Sequence, residues 1–371
     1  MIAGGGIAGS SLFRYMAEAG MNPILVNADR GSSWRNIGGG RTAFSLPELA
    51  EIAAQNHHIF KELQYLSNID YKPIRYISFA HDEETYKALE ASKAWSKAEM
   101  IAPKQFREEI SPYFNANPKK YISALVSEDC WQATPGKVVD LVRNLGIAAG
   151  GTVMEDCRVL EACREGKYTS VLVQTHDKKY VEYRTEHFVN ALGSGAGKLC
   201  DSMGIDAGLY PVRHQAFITR RLPMLGKHGT NLDMLIDRQD YKGFSAVYGQ
   251  QIAYTGQIIG CASPKLDAMR IDKNLKVNTK AFLEIVSEMF SEWIPDLAGV
   301  GIQAVWAGYY TEPRYIVDPE LGLFVGMRGH GFMLSQYIAR MYVDKLLGRP
   351  VPEYFEKLKL NGPGLSEKAF K

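Results

Sequence analysis

The chain has 371 residues, a length that accommodates two or three domains or one large core with a second lobe. Apolar residues make up 46% of it and charged residues 23%, which excludes a disordered chain, a collagen-like repeat and a coiled coil. The 43 basic residues exceed the 41 acidic residues by only two. The composition therefore predicts no surface for nucleic acid or for anionic lipid.

Two further patterns bear on where the protein works. No run of apolar residues approaches the ~20 that cross a bilayer, and no signal-peptide pattern precedes the first glycines. Five cysteines without CxxC spacing favour neither a disulfide framework nor a zinc site. We therefore expect a cytoplasmic protein with reduced thiols, no transmembrane segment and no bound metal.

The first thirty residues are typical of a nucleotide-binding unit. Ile2–Ala3 predicts a short buried strand, Ser10–Ala19 predicts a helix, and Pro23–Val26 predicts a second buried strand. A strand, a glycine turn, a helix and a strand in this order form the βαβ unit of a doubly wound parallel sheet.

The glycine turn of this unit has the dinucleotide-binding spacing Gly4-x-Gly6-x-x-Gly9. Gly4 allows a tight turn, Gly6 lets the backbone approach a pyrophosphate, and Gly9 lets the helix pack closely on the strand. Ile7 and Ala8 lie in the turn just before the helix, whose N-terminal N–H groups favour a phosphate. The turn predicts dinucleotide binding without choosing between FAD and NAD(P).

The end of the second strand departs from the usual pattern. A carboxylate normally stands there for the ribose hydroxyls, whereas this chain has Asn27. Asn27 can still form a neutral hydrogen bond, but the charge-assisted contact is lost. Arg30 could instead meet a 2′-phosphate, which leaves NADP open beside FAD.

The rest of the chain alternates between helical and strand-like periodicity. Helices are predicted over Pro47–Leu66, Lys137–Ala149, Asn278–Trp293 and Phe332–Leu347. Strands are predicted over Arg158–Cys163, Ser170–Gln174, Tyr180–Tyr183, His187–Leu192, Gln215–Thr219, Met234–Asp237, Phe244–Tyr248, Ile252–Ile259 and Leu323–Val325. The run of strands between Val212 and Gly260 indicates a large antiparallel sheet inserted into a nucleotide-binding domain of separated segments.

Four further motifs occur in a fixed order along the chain: Gly31-Ser32-Ser33-Trp34-Arg35-Asn36 through Gly40-Arg41, Arg158-Val159, Asn190-Ala191-Leu192-Gly193, and Gly329-His330-Gly331-Phe332. With the glycine turn, this set resembles the FAD-dependent amine and amino-acid oxidoreductases of the D-amino-acid oxidase superfamily. The similarity is closest to the sarcosine and glycine oxidase branch and covers nearly the whole chain in segments.

The resemblance implies that the chain binds FAD. Gly308 falls where monomeric sarcosine oxidases attach the flavin to a cysteine, so we expect noncovalent binding. The C-terminal loop opens a helix whose positive end would stabilise negative charge on the pyrimidine side of a flavin. The residues implied to contact FAD, beyond the first glycine turn and Asn27, are Ser32, Ser33, Arg35, Asn36, Gly40, Arg41, Val159, Ala191, Gly193, Gly329, His330, Gly331, Phe332 and Met333.

The implied fold is α/β: a glutathione-reductase-type, Rossmann-like FAD-binding domain of discontinuous segments, and a substrate domain with a mixed, mainly antiparallel sheet. We assign residues 1–75, 135–211 and 312–371 to the FAD-binding domain. Residues 76–134 and 212–311 are assigned to the substrate domain.

The substrate side of the site departs from the sarcosine oxidases. Met333 stands where those enzymes have a lysine that holds the substrate carboxylate, and Arg328 and Arg41 are the arginines that could replace it. Tyr254 and Tyr310 are further candidates for the pocket wall. The lysine that promotes reaction with oxygen falls near Tyr254, which puts oxygen as the electron acceptor in doubt.

The predicted reaction is oxidation of a C–N bond in a small amine or amino acid, with hydride passing to flavin N5. An aromatic pocket favours the neutral, reactive amine because it desolvates the ammonium form. Two alternatives remain open. A 2-hydroxy-acid dehydrogenase would need a histidine base at the flavin, and a flavoprotein subunit would pass its electrons to a partner chain.

Overall fold

A computed structural model describes residues 1–111, 114–115, 120–223, 225, 232–238, 244–252, 255–264, 275 and 279–367. Its helices are α1 Ile7–Glu18, α2 Pro47–Leu66, α3 Glu83–Ala91, α4 Phe106–Glu109, α5 Pro135–Ala148, α6 Ala196–Ser202, α7 Thr279–Trp293 and α8 Gly331–Leu346. The predicted bounds of α2 are confirmed residue for residue. Pro47 occupies the first helical position, which proline favours.

The strands of the described chain form three sheets. They are β1 Ile2–Ala3, β2 Ile24–Asn27, β3 Gly39–Gly40, β4 Lys72–Ala80, β5 Ala98–Ile101, β6 Ser123–Gln132, β7 Thr152–Glu155, β8 Arg158–Glu165, β9 Tyr168–Gln174, β10 Tyr180–Thr185, β11 Val189–Asn190, β12 Tyr210–Thr219, β13 Met234–Asp237, β14 Phe244–Gln251, β15 Ile258–Pro264, β16 Ile302–Glu312, β17 Ile316–Asp318 and β18 Leu323–Val325.

The six-stranded sheet contains the βαβ unit predicted from the first thirty residues. Its order is β17-β18-β11-β1-β2-β7, and every pair except β17 with β18 is parallel. Helix α1 packs against both α5 and α8 over this sheet. The central strand β1 is fully buried, as a parallel strand covered on both faces must be. Strands β8, β9 and β10 follow β7 in the chain and form a small antiparallel sheet in the order β10-β9-β8.

The nine-stranded sheet is mainly antiparallel. Its order is β16-β12-β15-β14-β13-β4-β6-β3, with β5 paired to β6, and β13 with β4 is its parallel pair. The α/β fold with a mixed, mainly antiparallel second sheet is confirmed. The sheet includes β3 and begins β4 before residue 76, inside the first segment assigned to the FAD-binding domain. The domain boundaries themselves stay a prediction.

Side chains on the two faces of this sheet serve different purposes. Phe217, Leu235 and Val247 point into a core that includes Phe282 and Met289 of α7. Their sequence neighbours point the other way and line a cavity, as period-two alternation requires. These cavity-lining neighbours are Ala216, Met234, Ile236, Ala246 and Tyr248.

The predicted continuous strand over Ile252–Ile259 is wrong. Strand β14 ends at Gln251 and β15 begins at Ile258. Between them the N–H of Thr255 donates to the Ile252 carbonyl, and Gly256 has a φ of 69°. The Thr-Gly pair therefore makes a hairpin turn, because glycine adopts this left-handed conformation without strain. Residues 253 and 254 of this segment lie outside the described residues.

Among the described residues, the helices are all too short or too polar to cross a membrane.

We expect the variant Gly9→Ala to be less stable than the wild type. An alanine Cβ at this position would lie 1.9 Å from the carbonyl oxygen of Gly4, and such overpacking costs about 1–3 kcal/mol. The matched control is Gly136→Ala in α5, where the new Cβ would lie 3.4 Å from Trp34. Urea unfolding should show a loss for Gly9→Ala only. Equal stability of the two variants would contradict the close packing of α1 on β1.

Candidate active site

The turn between β1 and α1 has the tight geometry predicted from its glycines. Gly4 has a φ of 110°, and its N–H donates to the Val26 carbonyl at 2.9 Å. A Cβ at Gly4 would lie 2.6 Å from the carbonyl oxygen of Ala191. The turn therefore brings the start of α1 against the end of β11, and Gly193 follows there with a φ of 56°.

Ser33 contacts the N-terminus of α1 and accepts a hydrogen bond from one of its N–H groups. The N–H of Ile7 donates to Ser33 Oγ at 2.9 Å, and a Cβ at Gly6 would lie 2.9 Å from the same oxygen. Asn36 Nδ2 donates to the carbonyl of Ser33 at 2.5 Å, which fixes the loop. The loop predicted to contact the flavin thus lies directly over the glycine turn.

The same loop is also tied to β16. The N–H of Tyr309 donates to Ser32 Oγ at 3.2 Å, and Trp306 Nε1 donates to the carbonyl of Arg35 at 2.8 Å. Gly308 lies between these two anchors, and a Cβ at this position would come 3.4 Å from the Arg35 side chain. The loop therefore links the glycine turn to the edge strand of the nine-stranded sheet.

The C-terminal loop Gly329–Phe332 reaches the same place from the other side. His330 precedes α8, whose first residue is Gly331. A Cβ at Gly329 would lie 2.4 Å from the Tyr310 ring, so only glycine fits there. Phe332 packs edge-on against Phe60 of α2, which holds the beginning of α8.

A cavity of about 440 Å³ separates these loops from the nine-stranded sheet. Ten predicted site residues line it: Ser32, Arg35, Asn36, Arg41, Tyr310, Arg328, Gly329, His330, Phe332 and Met333. Its other lining residues include Tyr76, Val212, His214, Met234, Ile236, Arg238, Tyr248 and Glu312. The wall is mainly apolar and aromatic, with guanidinium groups as its principal charges.

Arg328 is held by an ion pair. Its Nε donates to Glu312 Oε2 at 2.7 Å, and its N–H donates to the Thr311 carbonyl. Its φ of 50° is left-handed, a conformation that costs a non-glycine residue of order 1–3 kcal/mol. The ion pair compensates the charge of Arg328, while its buried Nη1 has no hydrogen-bond partner among the described residues.

Arg41 is fixed by contacts around its buried guanidinium. Nη1 donates to the carbonyl of Ala43 at 3.0 Å, Nη2 lies 3.3 Å from His330 Nε2, and the group lies over the Phe44 ring. Burial lowers the pKa of Arg41, while the carboxylate of Glu367 acts in the opposite direction. Arg41 therefore joins the predicted flavin loop to His330.

Arg238 is a site residue that the sequence analysis missed. It follows β13 and lines the cavity. Burial and, to a smaller extent, the like charge of Arg41 lower its pKa to about 9. Its position directly after the predicted strand Met234–Asp237 was the available signal. A lone arginine without motif spacing gave no reason to single it out.

The histidines of the cavity are not poised to act as bases. A guanidinium can only donate, so His330 Nε2 accepts from Arg41 and the ring proton lies on Nδ1, 2.5 Å from Tyr315 Oη. Burial lowers the pKa of His330 well below its ordinary value and that of His214 to about 3. His214 stacks on Tyr310 with ring centroids 3.6 Å apart.

The remaining substrate-pocket predictions have mixed outcomes. Tyr310 lines the cavity, and its hydroxyl lies 3.0 Å from that of Tyr248. Met333 lines the cavity from the first turn of α8. Tyr254 lies outside the described residues.

The predicted cofactor residues not yet placed also lie away from the cavity lining. Ala8 is the second residue of α1, and Asn27 ends β2 beside the glycine turn. Val159 is buried with the side chains that flank β1 and β2. Gly40 lies in β3 beneath Trp131, where a Cβ would come 2.3 Å from the indole ring. Core packing thus accounts for the glycine at position 40.

Comparison with known protein families gives a match over residues 1–345, to the family described as "DAO: FAD dependent oxidoreductase". The chain belongs to this family. The resemblance found in the sequence motifs is thereby confirmed, and the protein is an FAD-dependent oxidoreductase. No curated protein sequence matches the chain significantly.

Solved structures of oxidoreductases share the fold of this DAO-family chain. L-proline dehydrogenase from P. horikoshii is 22% identical, with a TM-score of 0.78 and coverage of 97% of this chain and 96% of that one. Glycine oxidase from Geobacillus kaustophilus is 18% identical, with a TM-score of 0.79 and 97% coverage of both chains. Iminodiacetate oxidase from Chelativorans sp. BNC1 is 14% identical, with a TM-score of 0.77 and coverage of 98% and 99%.

The residues of the DAO-family site fit an FAD. Gly4 and Gly9 let the backbones of β1, β11 and α1 come into direct contact, so the N-terminus of α1 lies at the carboxyl edge of the parallel sheet, where a pyrophosphate would bind. A second helix, α8, begins at the cavity and presents its positive end there. Gln336 Nε2 of α8 donates to Ser11 Oγ of α1 at 2.7 Å, which fixes the two helices against each other.

Acid should destabilise the protein through His214. Below its ordinary pKa of 6.5 the unfolded histidine takes up a proton, whereas the folded one does not until about 3. Stability is therefore lost as the pH falls through this window. Between pH 7 and pH 5, we expect the free energy of unfolding of His214→Phe, which keeps a stacked ring, to fall by about 1 kcal/mol less than that of the wild type. This value allows for solvent screening of the charge in the cavity.

Urea unfolding of the FAD-loaded protein at both pH values measures this difference. His176→Phe, on an exposed turn, is the control and should follow the wild type. The same acid-induced loss in His214→Phe as in the wild type would show that His214 does not remain neutral.

Proposed function

We propose that this DAO-family protein oxidises the C–N bond of a small amine that carries a carboxylate, using noncovalently bound FAD. The observation that supports this most is the cavity between the C-terminal loop and the nine-stranded sheet. Its wall combines tyrosines and aliphatic side chains with the half-buried guanidinium of Arg238. When bound, FAD supplies the two-electron acceptor for the hydride of the substrate carbon.

The chain's own residues would hold FAD at two helix N-termini. The N–H groups at the start of α1, beside Gly4 and Gly6, suit the pyrophosphate. The start of α8 at Gly331 suits negative charge on the flavin ring. Gly308 carries no thiol at the cavity wall, which supports a noncovalent flavin.

The cavity wall suits a neutral amine. An ammonium moved from water into this apolar and aromatic lining loses hydration, so its pKa falls and the neutral form is favoured. Tyr76, Tyr248 and Tyr310 are themselves neutral, because burial raises the pKa of each phenol. A neutral amine needs no protein base before hydride leaves its carbon.

Arg238 is the proposed partner of the substrate carboxylate. A guanidinium is costly to bury near another guanidinium, and Arg238 lies close enough to Arg41 for its pKa to respond. A bound carboxylate would offset both the burial and the repulsion, and it would accept two parallel hydrogen bonds. Arg41 and Arg328, which the sequence favoured, also line the cavity, where they contact His330 and Glu312.

The alternative of 2-hydroxy-acid oxidation is less well supported. That reaction needs a base near the operating pH to remove the hydroxyl proton. Both ring nitrogens of His330 are engaged, and burial lowers the pKa of His214 to about 3. An amine substrate avoids this requirement.

We expect acid precipitation of the purified protein to release its flavin. Trichloroacetic acid should leave a yellow supernatant that contains FAD and a colourless pellet, because no cysteine lies at position 308. Chromatography and absorbance identify the released flavin. Yellow colour that stays in the pellet would contradict noncovalent binding.

The carboxylate anchor is tested with pairs of amines that differ only in the carboxylate, such as L-proline with pyrrolidine. In Arg238→Gln we expect the dissociation constant for the acid to rise about 10- to 100-fold, as the loss of a charge-assisted contact predicts. The uncharged amine should be affected little. Stopped-flow measurement of flavin reduction under anaerobic conditions gives both constants.

Arg221→Gln, at an exposed position outside the cavity, controls for the change in net charge. An equal effect on both amines would remove Arg238 from substrate binding. Flavin that no amine or amino acid reduces would contradict the proposed reaction itself.

A further inference from the structure

The carboxylate missing from the end of β2 has a counterpart on the next strand. β2 and β7 pair in parallel, and the register sets Asn27 directly beside Glu155. Both are the last residues of their strands. Ligands of doubly wound sheets bind at this carboxyl edge, where the nucleotide-binding fingerprint places a ribose.

The two side chains are bonded to each other. Asn27 Nδ2 lies 2.7 Å from Glu155 Oε2, and the amide must donate because a carboxylate only accepts. The Asn27 Oδ1 atom therefore points the other way, where a Cβ built at Gly5 would come within 2.4 Å of it. Asn27 lies between the glycine turn and the carboxylate of Glu155.

The carboxylate of Glu155 is fixed and still accessible. Arg143 of α5 forms an ion pair from Nη1 to Glu155 Oε1 at 2.6 Å, and its Nη2 donates to the Gly5 carbonyl at 3.3 Å. The side chain of Glu155 remains 51% exposed. A carboxylate has about four acceptor positions, so these two hydrogen bonds leave room for two hydroxyl donors.

We propose that Glu155 replaces the ribose-binding carboxylate of the fingerprint, with Asn27 holding it in place. The carboxylate accepts hydrogen bonds from the hydroxyls of the adenosine ribose, although it comes from β7 rather than β2. This inference rests on the proposed noncovalent binding of FAD.

The same carboxylate bears on whether the site accepts NADP, whose 2′-phosphate Arg30 could have met. A 2′-phosphate at this position would meet the negative charge of Glu155 and would be repelled. Arg30 itself is exposed. The site therefore selects a ribose with free hydroxyls, as in FAD, and rejects NADP.

The experiment moves the charge from one strand to the other. Glu155→Gln removes the carboxylate and keeps the shape, so the dissociation constant for FAD should rise roughly tenfold. The double variant Asn27→Asp with Glu155→Gln restores a carboxylate one strand away and keeps a hydrogen bond between the pair. Its dissociation constant should return to within about threefold of the wild-type value. Glu161→Gln, exposed on β8, is the control for net charge.

The readout is the flavin fluorescence released when the FAD-loaded full-length proteins are diluted in series. An unchanged dissociation constant in Glu155→Gln would overturn the proposal. A rise that the double variant does not reverse would also overturn it, since Glu155 would then act only through Arg143 and the glycine turn. Wild-type protein that holds flavin covalently or holds none would instead contradict the proposed cofactor binding.

Discussion

The close approach of two backbone segments at Gly4 and Gly9 is the constraint on which the nucleotide-binding half of the molecule depends. A side chain at Gly4 would collide with the carbonyl oxygen of Ala191, and a side chain at Gly9 would collide with that of Gly4. Because neither residue has one, α1 packs directly on β1 and its N-terminus opens at the carboxyl edge of the parallel sheet. Ser33, Asn27 and the start of α8 all lie against this turn.

Charge is distributed unevenly around the cavity. Arg328 is neutralised by Glu312, Arg41 is engaged by His330 and by the field of Glu367, and Arg238 borders the apolar wall. Guanidinium groups keep their charge even where burial lowers their pKa, so the cavity stays electropositive at neutral pH. Neutral histidines and tyrosines complete the wall. Such an environment favours an anion over a cation and a neutral amine over an ammonium.

The nine-stranded sheet makes this environment through simple alternation. Leu235 and Val247 belong to the core under α7, and their neighbours Ile236 and Tyr248 face the cavity. A single sheet thus separates a dry core from a binding surface, and a shift of one residue in register would exchange the two. Contacts between side chains on its cavity face, such as the Tyr248–Tyr310 hydroxyl pair, link strands that are distant in sequence.

The fold class, the βαβ unit, helix α2 and the family could be predicted from the sequence, since these depend on local periodicity and on short motifs with fixed spacing. The sequence also predicted ten of the residues that line the cavity. The sequence could not predict that Arg238 lines the cavity or that Glu155 lies beside Asn27, because both facts depend on how strands pair and pack. Nor could the sequence show that Arg328 is paired with Glu312 and that Arg41 contacts His330. Those facts depend on strand register and on burial, which only the tertiary structure sets.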